Sequence, residues 1–169
     1  MKRIFAAAIG LVALTLPLAG KAQQDNDSLV TFQVMKVEVA LELAQAALES
    51  CREQGFQVAV AVVDRFGVTQ VVLRDRYAGP HTPSTAQRKA WTSVSFRGPT
   101  TELAEATAPG EEAFGARDVT NALMLGGGVP VDAAGTMVGG VGVSGAPSGT
   151  ADEDCALAGI DAVADQLAF

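Results

Sequence analysis

The chain has one histidine, one tryptophan, one tyrosine and two cysteines among its 169 residues, and only 12 residues are lysine or arginine. Each scarcity excludes something. A lone imidazole with no thiolate or carboxylate converging on it in sequence cannot build a zinc site, which takes several protein ligands. Two cysteines, Cys51 and Cys155, are too few for a disulfide-built scaffold and lack the CxxC spacing of zinc or redox exchange. With 19 acidic residues the formal net charge is −7, and no basic cluster stands ready to neutralise phosphates. Nucleic acid is therefore not an expected partner.

Long apolar runs are also missing except at the start. Lys2 and Arg3 precede "IFAAAIGLVALTLPLAG", and Gly20 and Ala22 put small residues at the −3 and −1 positions of a cut after Ala22. This pattern reads as an export signal over residues 1–22, too short for a membrane span; an uncleaved anchor is the alternative. Residues 23–33 read as a polar leader. Removing 22 of 169 residues leaves 147, enough for one domain with a real core over residues 34–169. The mature chain then has nine basic and nineteen acidic residues, a net charge of −10. An acidic surface suits a soluble exported protein.

What remains is rich in valine, alanine and glycine. Residues 34–55 predict a helix, with Leu41, Ala44, Leu48 and Cys51 at three- and four-residue steps and Gly55 as its stop. "FQVAVAVVD" and "VTQVVLRDR", separated by a short Gly-containing turn, predict an antiparallel hairpin. Thr82 as N-cap and Pro83 at the first helical position predict a second helix to about Phe96, ended by Arg97-Gly98-Pro99. Thr100-Thr101-Glu102 opens a shorter helix, and residues 108–121 read as loop. "ALMLGGGVPVD" and "TMVGGVGVSG" around "AAG" predict a second hairpin. The remainder predicts a closing helix with Asp152, Glu153 and Asp154 in its first turn, suiting the dipole, and an apolar stripe of Leu157, Ile160, Val163, Ala164 and Leu167. The order α-β-β-α-α-β-β-α with two hairpins is α+β, not a doubly wound parallel fold.

Several motifs dissolve on inspection. Gly140 to Gly145 spells GxGxxG after a strand, but no further strand follows the helix to hold a ribose, so a dinucleotide site is rejected. No lysine followed by Ser or Thr closes a Gly-rich loop. The glycines Gly126 to Gly128 and Gly139 to Gly145 are instead read as places where elements approach closely. A Ser-His-Asp set can be drawn from Ser144 or Ser84, His81 and Asp64, but no nucleophile elbow supports it. Glu102 and Glu105 form an ExxE pair that reads as a solvated face.

His81 lies in "RYAGPHTPSTAQRKAW", between Pro80 and Pro83 and beside a helix start. The positive end of a helix favours the neutral imidazole, the form that ligates metals, and the prolines restrain the loop. One histidine suffices as the axial ligand of a haem; a solvent-facing loop histidine is the alternative.

The stretches "AVAVVDRFGVTQVVLRDRYAGPHTPSTAQRKAWTSVSF" and "GGGVPVDAAGTMVGGVGVSGAPSGTADEDCALAGIDAV" resemble the GlcG/HbpS family of haem-binding domains, also found as the C-terminal part of some PduO corrinoid adenosyltransferases. The resemblance covers about residues 36–167. It implies a profilin-like α+β fold, an antiparallel sheet flanked by helices, with haem or a related tetrapyrrole such as a corrinoid as ligand. It also implies homo-oligomers from dimers to octamers. A haem pocket needs an iron ligand, an apolar slot and cations for two propionates. The segment 74–96 offers His81 for iron, with Thr82 beside it. Tyr77, Trp91 and Phe96 offer flat apolar surface, and Arg74, Arg76, Arg88 and Lys89 offer charge-assisted hydrogen bonds to propionates. An exposed helix face for Arg88-Lys89 and a core anchor for Trp91 are the plainer readings of those residues.

Three functions compete on this basis: an exported haem-binding protein for storage, sensing or transfer; a haem-degrading or peroxidase-like enzyme; and a sensor module for another small molecule. Peroxide activation calls for a distal acid–base group, commonly a second histidine, which the chain lacks. Fold alone does not separate the three.

Cys51 ends the first predicted helix and Cys155 opens the last, each beside a strand. If those strands run antiparallel as near neighbours, the two cysteines meet at one edge and a bridge follows. Two buried free thiols are the alternative.

Overall fold

The computed structural model describes residues 28–168, and all the helices and strands among them belong to one compact unit that begins at Phe32. The export signal expected over residues 1–22, with its cut after Ala22, lies outside the described residues. Among the described residues no helix is long and apolar enough to cross a membrane.

Helix α1 spans Val37–Glu53, followed by β1 (Ala59–Asp64), β2 (Thr69–Arg74), α2 (Thr82–Phe96) and α3 (Thr100–Ala106). A 3-10 segment, Glu112–Asp118, precedes β3 (Gly128–Ala133), β4 (Thr136–Ser144), α4 (Gly149–Ala162) and a final turn α5 (Ala164–Leu167). The four strands form one antiparallel sheet in the order β2-β1-β4-β3. This is the α+β architecture expected, helices flanking an antiparallel sheet.

The two sheet faces differ because the sequence alternates. In β1, Val60 and Val62 point with Val141 and Val143 of β4 into a core closed by Leu43, Ala44, Ala47 and Cys51 of α1 and Cys155 and Ala156 of α4. Ala59 and Ala61 point the other way, onto Ala86 of α2. Side chains alternate across a strand, so "AVAVV" and "GGVGV" put branched residues on one face and small ones on the other. The small face lets α2 lie almost on the backbone: a Cβ at Gly142 would stand 2.1 Å from the Ala86 carbonyl oxygen, and one at Gly128 2.3 Å from that of Lys89. The glycine-rich strands are thus covered on this face by α2.

Several expectations shift. Helix α1 begins at Val37 and not Val34, and Leu41 is exposed, the buried stripe being Ala40, Leu43, Ala44, Ala47, Leu48 and Cys51. Thr82 is the first residue of α2 and not its cap; His81 is the cap. The Thr82 hydroxyl donates back to the Gly79 carbonyl at 2.8 Å, while the His81 carbonyl accepts from the Thr85 N–H. The expected loop 108–121 contains the 3-10 segment. The closing helix breaks at Val163, which is buried, and its inner stripe is Asp152, Cys155, Ala156, Gly159, Val163 and Leu167. Leu157 and Ala164, expected on that stripe, face outward. The acidic first turn does more than suit the dipole, because Asp152 is buried.

Cys51 and Cys155 are bonded, with Cα atoms 5.5 Å apart. The topology behind the expectation is present: β1 and β4 are antiparallel neighbours, so the end of α1 and the start of α4 share one edge. Gly159 lets the helices close, since a Cβ there would lie 2.8 Å from the Ala47 Cβ and from the Leu43 oxygen.

Candidate functional site

At the end of the sheet where Ala59 pairs with Ser144, an open cleft of about 780 Å³ lies between three walls. Gly55, Phe56 and Gln57 form one, after α1. Ser144 to Gly149, running into α4, form the second. Leu123 and Leu125 form the third, ahead of β3, and the loop bearing Tyr77, Gly79 and His81 stands at the mouth with Thr85 and Arg88 of α2.

The mouth loop is fixed from below. Asp75 is buried, and its carboxylate accepts from Arg52 Nε and Nη2 at 2.8 and 2.7 Å and from the Val58 N–H at 3.2 Å. The Asp75 N–H donates to the Val58 carbonyl, and the Ala78 N–H to the Asp75 carbonyl. Arg74 wraps the same loop, Nη1 donating to the carbonyls of Asp75 and Ala78. The His81 ring lies over Gly79: a Cβ there would meet Cε1 at 2.7 Å and Nδ1 at 2.9 Å. Glycine thus makes the seat for the ring. Both His81 and Tyr77 are exposed, Tyr77 at 78%.

Beneath the cleft lies a buried ion pair. Lys89 Nζ donates to Asp152 Oδ2 at 2.7 Å and to the Val143 carbonyl at 2.9 Å, while Asp152 Oδ1 accepts from the Ala146 N–H at 2.9 Å. Burial lowers the Lys89 pKa and raises that of Asp152, each against the opposing charge of the other. Gly127 makes room for the pair: its φ is +111°, and a Cβ would stand 2.6 Å from the Asp152 Cβ and 3.0 Å from Lys89 Nζ.

The residues expected at a ligand site therefore divide. His81, Tyr77 and Arg88 line the cleft. Lys89 reaches its floor, but the ammonium is held by Asp152 and is not free for a propionate; the helix face expected to be exposed there is its buried side. Arg88 donates to the carbonyls of Asn121 and Ala122, which holds the third wall in place. Thr82 is buried behind the loop. Arg76 is exposed outside the cleft lining, and Arg74 faces a different groove with Arg52 and Glu49. Trp91 and Phe96 stand about 15 and 22 Å along α2 from His81 at 1.5 Å per residue. Trp91 packs instead under the first hairpin turn, where a Cβ at Gly67 would lie 2.7 Å from its Cδ1.

Sequence reasoning missed Phe56, Asp75 and the Asp152–Lys89 pair. Phe56 followed a helix stop and read as the start of a strand. An acid inside "DED" gives no local sign of burial; its spacing from Cys155 on the same face was the available signal. The Ser-His-Asp set does not assemble: Ser144 lines the cleft, but Asp64 sits at the far end of β1, its carboxylate accepting from the Phe66 and Val68 N–H groups. Among the described residues no His, Cys, Asp and Glu cluster could hold a metal ion by itself.

The same fold occurs in known proteins. The chain is 32% identical over 119 residues to the corrinoid adenosyltransferase PduO of Salmonella typhimurium, 69% of this chain but 34% of PduO, so it spans about a third of that relative. It superposes on the crystal structure of HbpS with a TM-score of 0.75 at 45% identity, covering 79% of this chain and 92% of that one. A PduOC:haem complex matches with a TM-score of 0.70 at 29% identity, covering 76% and 94%. Residues 35–161 match the family described as haem degrading protein HbpS-like, and the chain belongs to that family.

Proposed function

We propose that the protein is an exported haem-binding protein, used to store, sense or pass on haem, with His81 as the iron ligand. The observation that carries this is the meeting of the chain's one imidazole with an open cleft that has both apolar and polar side chains in its walls. Phe56, Leu123, Leu125, Ala146 and Pro147 suit the face of a tetrapyrrole, and a volume of about 780 Å³ falls within the range of small-molecule sites. The remaining donor of Arg88, Nη1, stands for an acidic substituent, and Tyr77 flanks the ring. Bound haem would supply an iron with an axial position that one imidazole fills. Family membership and the PduOC:haem complex support the same ligand.

Binding is favoured over turnover by the chemistry of the walls. Asp152 is the one carboxylate of the cleft lining, and Lys89 and the Ala146 N–H already engage it. No free acid is thereby placed to move a proton to a bound oxidant. The disulfide suits an oxidising compartment, in keeping with export. Phe32, Val34, Phe66 and Val68, exposed at the end opposite the cleft, make an apolar surface in keeping with a homo-oligomer.

Titrating the purified chain with hemin is expected to give a saturable Soret band, and His81→Ala to weaken binding by about two orders of magnitude, the scale of losing one well-placed ligand bond. An unchanged Soret band and unchanged affinity in His81→Ala would remove His81 from the site.

A further inference from the structure

The Cys51–Cys155 disulfide lies directly behind the cleft and joins two of its walls. Cys51 is in the last turn of α1, and its carbonyl accepts from the N–H groups of Gln54 and Phe56, at 3.2 and 2.9 Å. Together with the Arg52 carbonyl, which accepts from the Gly55 N–H at 2.8 Å, it holds the turn from which Gly55, Phe56 and Gln57 enter the cleft. Cys155 lies one turn beyond Asp152 on the buried side of α4, so it holds the helix whose first turn, with Ser148 and Gly149, is the facing wall. Between them the walls touch at Gly145, where a Cβ would stand 2.6 Å from the Gln57 oxygen. Gln54 covers the bridge, its Nε2 3.7 Å from Cys155 Sγ.

We propose that this disulfide is a strap that sets the cleft, so that its reduction loosens the wall from Gln54 to Gln57 against the wall from Gly145 to Gly149 and lowers ligand affinity. The inference rests on the proposed function for the identity of the ligand, but not for the motion. A dithiol or phosphine reductant supplies two electrons and the S–S bond breaks to two thiols. The dithiol gives up its two protons and closes to its own disulfide, or the phosphine takes the oxygen of a water molecule, whose two protons go to the thiols, and becomes its oxide. Both sulfurs are buried, so attack requires the first turn of α4 to open, and ligand held between the walls opposes that opening. Ligand and bridge therefore protect one another.

The test combines hydrogen exchange with hemin titration, comparing the wild-type chain with Cys51→Ala/Cys155→Ala and, in parallel, with wild-type chain reduced by a phosphine for the exchange arm. The expected result is a loss of protection of about tenfold or more at amides 54–57 and 145–149 through local opening, unchanged by low urea, whereas Val60, Val62 and Val141 in the central strands follow the global stability and lose protection with urea. Hemin affinity of the variant is expected to fall by about tenfold, the scale of an ordinary coupling between sites. Unchanged wall protection overturns the strap. So does wall exchange that rises with low urea in step with Val60, Val62 and Val141, which is ordinary global destabilisation. Loosened walls with unchanged hemin affinity overturn its link to the ligand. Should the wild-type chain not bind hemin at all, the proposed function fails, while the exchange arm still decides the strap.

Discussion

Lys89→Met is expected to destabilise the fold by about 3–5 kcal/mol at neutral pH, the usual cost of stranding one partner of a buried ion pair. Methionine fills the space of the lysine stem but leaves Asp152 facing the Val143 carbonyl in a buried site, with the Ala146 N–H as a remaining donor. Burial already holds the Asp152 pKa above the ordinary carboxylate value, and Lys89 is what opposes that rise. Removing Lys89 lets it rise further. Between the unfolded value near about 3.9 and the raised folded value, the folded chain binds more protons than the unfolded one, so stability falls as pH increases through that window. The deficit of Lys89→Met should therefore be smaller in mild acid than at pH 7.5. Adding Asp152→Asn, which keeps an acceptor for the Ala146 N–H and removes the charge, should recover a large part of the loss. Urea unfolding of the three proteins at both pH values measures this. An equal deficit at both pH values, or a larger one in acid, contradicts the account.

Cys51→Ala/Cys155→Ala is the second large effect. The bridge closes a loop across a sequence separation of 104 residues, and in the chain-entropy model its removal costs about 4–5 kcal/mol. Most of that loss acts through an unfolded chain freed to expand, so the urea m-value should rise as the stability falls. Alkylation of the denatured, unreduced wild-type chain should add no groups by intact mass, and two after reduction. Two groups added before reduction would mean free thiols, and a stability loss under about 1 kcal/mol would mean that the loop closure contributes little.

The fold was legible because its sequence is locally consistent. "AVAVVD" alternates branched and small residues for a strand covered on both faces, "VTQVVLR" alternates for a half-covered one, Pro83 marks a helix start, and the cysteines sit beside strands that become antiparallel neighbours. The site was legible only in part. His81 stood out by its rarity and its prolines, and it does lie at a cleft. The candidates for the propionates and for the flat apolar surface were drawn from neighbours in sequence, and a 15-residue helix spreads such neighbours over roughly 22 Å and every side of its axis. That is why Trp91 and Phe96 belong to the far end of α2, and why Lys89 turns inward beside Arg88. The cleft walls come from residues 55–57, 123–125 and 144–149, brought together by strand pairing across long separations that no local pattern announces.

The central claim, a bond from haem iron to His81, has a direct measurement because the chain has one histidine. Labelling the protein with 15N-histidine tags His81 alone. In the ferrous carbonmonoxy haem complex, which is diamagnetic, one ring nitrogen of His81 should leave its free-imidazole position for that of a metal-bound nitrogen, in step with haem added. If both nitrogens keep their free positions while the haem is bound, iron is ligated elsewhere, and the reading of the cleft around His81 is contradicted.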